Sequence, residues 1–209
     1  RTGLDIRWWE RSEALASFAQ ARKEVADHGH LRLRHKALLD SLLHVAFAEA
    51  ARQELPVQFH TGYGDTDADL LLANPLHLRA VLEHRPYRGM RVVLLHECYP
   101  YTRQGGYLAA VYEHVFLDLS YGIPFLSSGE MIAFTRAALG VAPTSKLLYS
   151  SDAVGIPELH WISAVDSRRV LGQALSESVT NGELTLTEAE AAARAILHDN
   201  AVRLYQLAQ

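Results

Sequence analysis

The sequence predicts an α/β fold with parallel strands, and three observations carry that prediction. Four short runs, 56–60, 90–96, 115–120 and 146–151, are rich in aliphatic and β-branched residues. Helix-periodic stretches lie between them. Successive runs start roughly 25 to 35 residues apart, the length of one strand–helix unit. Strands buried on both faces read as near-continuous apolar runs, because each right-handed crossover lays a helix against the sheet.

Residues 12–27 set Ala14, Leu15, Phe18, Ala19, Ala21, Val25 and Ala26 at helical spacing, with Ser12 as the expected cap and Glu13 in the first turn. A polar loop over 27–34 leads to a second helix over 35–53. Its Leu38, Leu39, Leu42, Leu43, Val45, Ala46 and Ala50 form a wide apolar stripe, which implies a large partner surface. After Pro56 the period changes. Pro56-Val-Gln-Phe-His60 is short, rich in strand formers and closed by Thr61-Gly62, as a buried strand ending in a loop would be. Between the strands, helices are predicted over 74–83, with Pro75 in the first turn, over 106–112 and over 128–139. A last set, over 161–179, 187–197 and 201–207, follows Pro157. No repeat, Pro/Gly-rich linker or low-complexity tract interrupts the chain, so 1–209 reads as a single domain.

Composition narrows the function classes. With 20 Lys+Arg against 24 Asp+Glu, the formal charge is -4, which gives no broad basic surface for nucleic acid. The single cysteine, Cys98, excludes an internal disulfide and the CxxC pairs of most structural zinc sites, and it suits a reducing cytoplasm. No apolar stretch reaches the ~18 residues of a membrane span, and the opening residues are charged where a signal peptide would be apolar. The expectation is a soluble cytoplasmic protein that acts on a small molecule, with neither nucleic acid nor membrane as partner.

In parallel α/β proteins, ligands bind where the strand–helix loops gather, at the carboxyl ends of the strands. Those ends carry His60; His96 with Glu97, Cys98, Tyr99 and Tyr101; Asp118 and Ser120 with Tyr121; and Ser150, Ser151 and Asp152. Two histidines and an aspartate at neighbouring strand mouths are nitrogen and oxygen donors suited to a divalent transition metal such as zinc. Each has a structural counterpart. A histidine can be a satisfied core residue, Asp152 a turn or helix cap, Asp118 a lining polar residue, and Glu97, Tyr99 and Tyr101 loop packing. Cys98 has no base set beside it for nucleophilic work. Asn200 reads as the cap of the last helix, Trp8 and Trp9 as packing, and His44, His77, His84 and His114 as surface.

Five strings in order, LPVQFHTGYGD, LLHECYPY, VFLDLS, LLYSSDA and HDNAVRLYQL, resemble the later half of a metal-dependent amidohydrolase of the TIM-barrel type. The similarity is to the amidohydrolase-related branch, and within it to the domain fused to glutamine synthetase in some fungi and plants. The resemblance implies the C-terminal part of a (β/α)8 barrel, with about four parallel strands and flanking helices. It implies that His60 is a metal ligand, that His96 binds metal or polarises substrate, and that Asp152 touches the metal and serves as general base. It implies a divalent cofactor, zinc first and manganese second. Members of this family begin with a strand ending in a His-x-His pair, and no such strand is found here: His28-Gly29-His30 follows a helix and reads as a loop. RTGLDI resembles the loop after the fourth strand, so the chain is expected to be the C-terminal part of a longer protein. A sheet of four strands with helices on one face would leave its inner face and two edges uncovered. Association with an N-terminal segment or with a second copy is the expected remedy. Three functions follow: hydrolysis of an amide or related C–N bond, decarboxylation by the same kind of centre, or a non-catalytic assembly unit that lacks the first-strand ligands.

Overall fold

The computed structural model describes residues 3–64, 68–120, 126–153 and 155–207. Two long helices, α1 (Arg11–His28) and α2 (Lys36–Arg52), precede a four-stranded sheet. Its strands are β1 (Pro56–Phe59), β2 (Arg91–Leu94), β3 (Val115–Asp118) and β4 (Leu147–Leu148). They lie in sequence order, all pairs parallel, with Phe59 opposite Leu94, Leu94 opposite Leu117 and Asp118 opposite Leu148. The crossovers hold α3 (Arg79–Leu82), after a 3₁₀ turn at Pro75–Leu78, then α4 (Thr102–Val111) and α5 (Ser128–Leu139). The chain closes with α6 (Pro157–Thr180), α7 (Leu186–Arg194), a π-helical turn at Ala195–Asp199 and α8 (Asn200–Tyr205). Among the described residues, no helix is long and apolar enough to cross a membrane.

Strand alternation sorts the side chains onto two faces. Phe59, Val92, Leu94, Val115, Leu117 and Leu147 join the main core with Leu78, Val81, Leu108, Phe134 and Leu171. The opposite face holds Val93 and Leu148, packed with Leu204 and flanked by Leu95, Phe116 and Tyr205. This differs from a sheet with helices on one face only, because α8 lies across the second face. Gln58 Nε2 donates to Tyr205 Oη at 2.6 Å, and an Arg91 guanidinium N–H donates to the Leu204 carbonyl at 2.6 Å.

Asn200 makes that packing possible, and in a different role from a cap. It is buried, and its amide group donates to the carbonyls of Thr144 and Leu147, both at 2.8 Å. The helical backbone runs through the π turn into Asn200, so the residue needs no capping geometry and instead grips the entry to β4.

The apolar stripe expected on α2 is only partly used. Phe47 and Ala50 are buried, but Leu42 and Val45 face outward, and the buried polar position is Asp40. Asp40 accepts from the Arg7 backbone N–H at 3.1 Å and from the Trp9 indole at 2.9 Å, and it pairs with Lys36. These bonds tie the N-terminal segment along α2. Trp8 stacks on His44 with ring centroids 4.3 Å apart, so His44 belongs to that packing rather than to a bare surface. Helix α1 starts at Arg11, earlier than a Ser12 cap would allow, because the Glu13 carboxylate reaches back to the Glu10 backbone N–H at 3.0 Å.

Candidate active site

The chain turns sharply where each strand ends. The second strand run stops at Leu94, and His96, Glu97 and Cys98 form a left-handed turn with φ of 60°, 39° and 57°. Asp152, beyond β4, has φ of 46°. Left-handed backbone costs an L-residue on the order of 1–2 kcal/mol, so four such residues at one end of the sheet need compensating contacts. Thr61 supplies one: its hydroxyl faces the Leu95 carbonyl at 2.6 Å and Cys98 Sγ at 3.1 Å. Asp118 supplies another. Its carboxylate accepts from the His96 backbone N–H at 3.4 Å, the Ser120 backbone N–H at 3.3 Å and the Ser150 hydroxyl at 3.2 Å, as well as from the Ser120 hydroxyl.

The loops after β1 and β2 are pressed together. Gly62 (φ 63°) donates its N–H to the Ala73 carbonyl at 2.8 Å, and the Tyr63 N–H donates to Tyr99 at 2.6 Å. A Cβ at position 62 would overlap the carbonyl oxygens of Tyr99 and Cys98 and lie 2.6 Å from the Cys98 carbonyl carbon. Only glycine allows that approach.

These turns bring His60 and His96 together, with ring centroids 4.3 Å apart and the rings inclined at 58°. His96 Nδ1 lies 3.5 Å from Asp152 Oδ2, close enough to attract and too long for a good hydrogen bond. Consistently, Nδ1 has no hydrogen-bond partner although it is buried. The edge of Tyr63 meets His96 at 5.7 Å. His60 and Asp152 are exposed at the mouth, while His96 is buried behind them. All three residues expected at the site therefore sit at one end of the sheet. Tyr121 lies outside the described residues.

Electrostatics separate the acidic groups by environment. Burial lowers the His96 pKa and neighbouring His60 lowers it further, against an opposing pull from Asp152. Burial raises Asp118, while the Ser120 and Ser150 hydroxyls and the His96 and Ser120 backbone N–H groups act the other way. Asp118 is thus a strut between strand ends rather than a wall of the mouth. Glu97 is fully buried with both carboxylate oxygens unpartnered, and burial, with Asp118 and Asp152 nearby, holds its pKa well above the ordinary value. Sequence spacing gives no hint of that burial, since Glu97 directly follows the candidate site residue His96 at a strand end. Burial also pushes the Cys98 thiol upward, which makes it a poor nucleophile.

Two imidazoles and a carboxylate fit a divalent transition ion in kind. They do not fit in number. Among the described residues, no three or more His, Cys, Asp or Glu side chains are grouped so that they could hold one ion. His96 Nδ1, buried and without a hydrogen-bond partner, is the observation that best matches a ligand role.

Residues 14–207 match the Amidohydrolase family model. The chain is 36% identical to the protein fluG of Emericella nidulans over 215 aligned positions, which span 99% of this chain and 24% of that protein. A protein from Lactobacillus casei ATCC 334, provisionally described as a metal-dependent hydrolase, superposes with a TM-score of 0.85 at 34% identity, covering 99% of this chain and 52% of the other. Uronate isomerase from Thermotoga maritima superposes with a TM-score of 0.69 at 16% identity over 96% of this chain and 47% of its own, a likeness of fold. The chain thus spans about a quarter of the curated relative and about half of each solved one. Its four parallel strands and flanking helices are part of an α/β barrel, and the chain belongs to the amidohydrolase family.

Proposed function

We propose that this chain carries the reaction centre of a metal-dependent hydrolase acting on an amide or related C–N bond. The observation that supports the reading best is the convergence of His60, His96 and Asp152, with 4.3 Å between the ring centroids and 3.5 Å from imidazole to carboxylate. His60 and His96 would hold a divalent cation, zinc by the softness of imidazole and manganese as the alternative, with Asp152 at its edge. Such an ion would supply the Lewis acidity that activates water and polarises a carbonyl. The protein side of the reaction is proton handling. Asp152, exposed at the mouth and freed by its left-handed turn from the line of β4, takes the proton of the attacking water and returns it to the departing nitrogen. Asp118 fixes the His96 backbone while this happens, and Thr61 holds the β1 loop against the β2 loop. Buried, unpaired Cys98 suits a cytoplasmic protein.

The incomplete donor set among the described residues favours a second reading for the isolated chain, that of an assembly unit. In that reading, strands from an N-terminal segment or from a second copy pair with the edges of β1 and β4 and complete the centre.

Asp152→Asn in the metal-loaded enzyme tests the first reading. Turnover is expected to fall about 10²- to 10⁴-fold, the usual weight of a general base, with metal content retained. Turnover within threefold of wild type would remove Asp152 from the mechanism. Carbon dioxide as the product, in place of an amine and an acid, would replace hydrolysis by decarboxylation. Metal analysis separates the assembly reading: one ion per isolated chain argues against it, and an ion bound only after association supports it.

A further inference from the structure

A cavity of about 350 Å³ opens beside the two histidines, between the loops that follow β1 and β2. Its walls are Tyr63, Gly64, Ala68, Leu70, Tyr99 and Pro100, with Gly62 at the seam. None of these side chains carries a charge. Three of the seven, Gly62, Gly64 and Ala68, have no side chain beyond Cβ, and the two glycines let the loop backbones pack closely around the space. A cavity of about 150 Å³ accommodates a benzene ring, so this one has room for a substituted ring or a fused pair.

Two wall residues touch the histidine pair. Tyr63 lines it and also sets its ring edge on His96 at 5.7 Å. A Cβ at Gly64 would come within 3.1 Å of His60 Cε1 and 2.9 Å of Ala68 Cβ, so glycine is what lets this wall lie directly against the His60 ring. The walls are also held in place before any ligand arrives. The Tyr63 backbone N–H is bonded to Tyr99, and the Tyr101 hydroxyl donates to the Leu70 carbonyl at 3.1 Å. Preformed, mostly apolar walls with polar groups at one end are the usual make-up of a small-molecule subsite.

We propose that this cavity receives an uncharged aromatic or similarly flat apolar group of the substrate, and that Tyr63 and Gly64 set its distance from His60 and His96. The substrate class is then an aryl-bearing amide, the ring in the cavity and the scissile bond at the histidines. This assignment rests on the reading of His60, His96 and Asp152 as the reaction centre.

Benzamide and acetamide titrated into the intact chain, followed by tyrosine and histidine ring proton resonances, test it without turnover. Benzamide is expected to bind at least tenfold more tightly than acetamide and to shift the signals of Tyr63 and His60. Ala68→Phe, which fills the cavity, and Leu70→Asp, which places a charge in a wall residue already 44% exposed, should each weaken benzamide at least tenfold. Equal binding of the two amides, or benzamide affinity within threefold of wild type in either folded variant, overturns the proposal. Failure of the underlying reading looks different. If turnover survives Asp152→Asn while Ala68→Phe still expels benzamide, the centre is misassigned and the subsite stands. If Asp152→Asn abolishes turnover and benzamide ignores Ala68→Phe, the centre stands and the subsite falls.

Discussion

Replacing Gly62 by alanine, with Gly29→Ala as its control, separates the cost of left-handed backbone from the cost of contact. Gly29 closes α1 at φ 71°, and a Cβ there would meet nothing within 4 Å. Gly62 has nearly the same φ, 63°, but its Cβ would run into the backbone of Cys98 and Tyr99. Both variants bear about 1–2 kcal/mol for an L-residue in the left-handed region. Gly62→Ala must also separate the two loops, at the expense of the bonds from Gly62 N–H to Ala73 at 2.8 Å and from Tyr63 N–H to Tyr99 at 2.6 Å. Each such bond contributes about 0.5–1.5 kcal/mol net. Gly62→Ala should therefore cost roughly 2–5 kcal/mol, about 1–3 kcal/mol more than Gly29→Ala. Urea unfolding followed by circular dichroism measures the pair, provided the slopes with denaturant agree. Equal losses, within about 0.5 kcal/mol, would show that the loops yield freely and that the close approach does not position His60.

Asn200→Ala removes the donor to two carbonyls at the entry to β4, each orphan costing about 1–3 kcal/mol, so a loss of roughly 2–6 kcal/mol is expected in the same unfolding assay. A loss under about 1 kcal/mol would mean that water replaces the amide without penalty. Stability should also fall as pH drops below 6.5. His44 is held below that ordinary value first by burial, and His84 adds to the effect while the Arg7 carbonyl and Asp40 oppose it. His114 is lowered by burial, Lys146 and Arg88, with Glu113 opposing. A base whose folded pKa is depressed is neutral in the native state, so stability present above the unfolded pKa is lost as pH falls through the folded value. His44→Gln should flatten that slope, and the Trp8 emission should change over the same range in wild type because the indole stacks on His44. A flat stability profile between pH 7 and 5 would contradict the assignment.

Much of the fold was legible because it depends on short-range pattern. The alternation of apolar runs with helical periods marks the strands and their parallel direction, and all four strands fall inside the predicted runs; that they lie in sequence order was implied only by the family resemblance. The edges of those runs were less legible. Residues 146–151 read as a strand from their composition, yet only Leu147 and Leu148 pair, because the chain leaves the sheet to deliver Ser150 and Asp152 to the mouth. The left-handed turn at His96, Glu97 and Cys98 has no sequence mark at all: left-handed residues are usually glycine or asparagine, and none occurs there. Its support comes from Thr61 and Asp118, 37 and 22 residues away from their partners along the chain.

The sequence by itself determined that strands and helices alternate, that the histidines and Asp152 fall at strand ends, and that the strings around them resemble one family. Period, propensity and motif are properties of neighbouring residues, and they survive without coordinates. The structure alone decided which polar residues are burdened by burial. Asp40, Asp118, Glu97 and Asn200 carry no local mark of full burial in the sequence, and all four are buried. Three of them are satisfied by donors or acceptors from distant segments, while the carboxylate of Glu97 has no hydrogen-bond partner. Burial and partnership arise from long-range packing of the whole chain, so no local pattern encodes them. The same is true of the cavity beside His60, which exists because two loops with a single glycine seam between them close to contact.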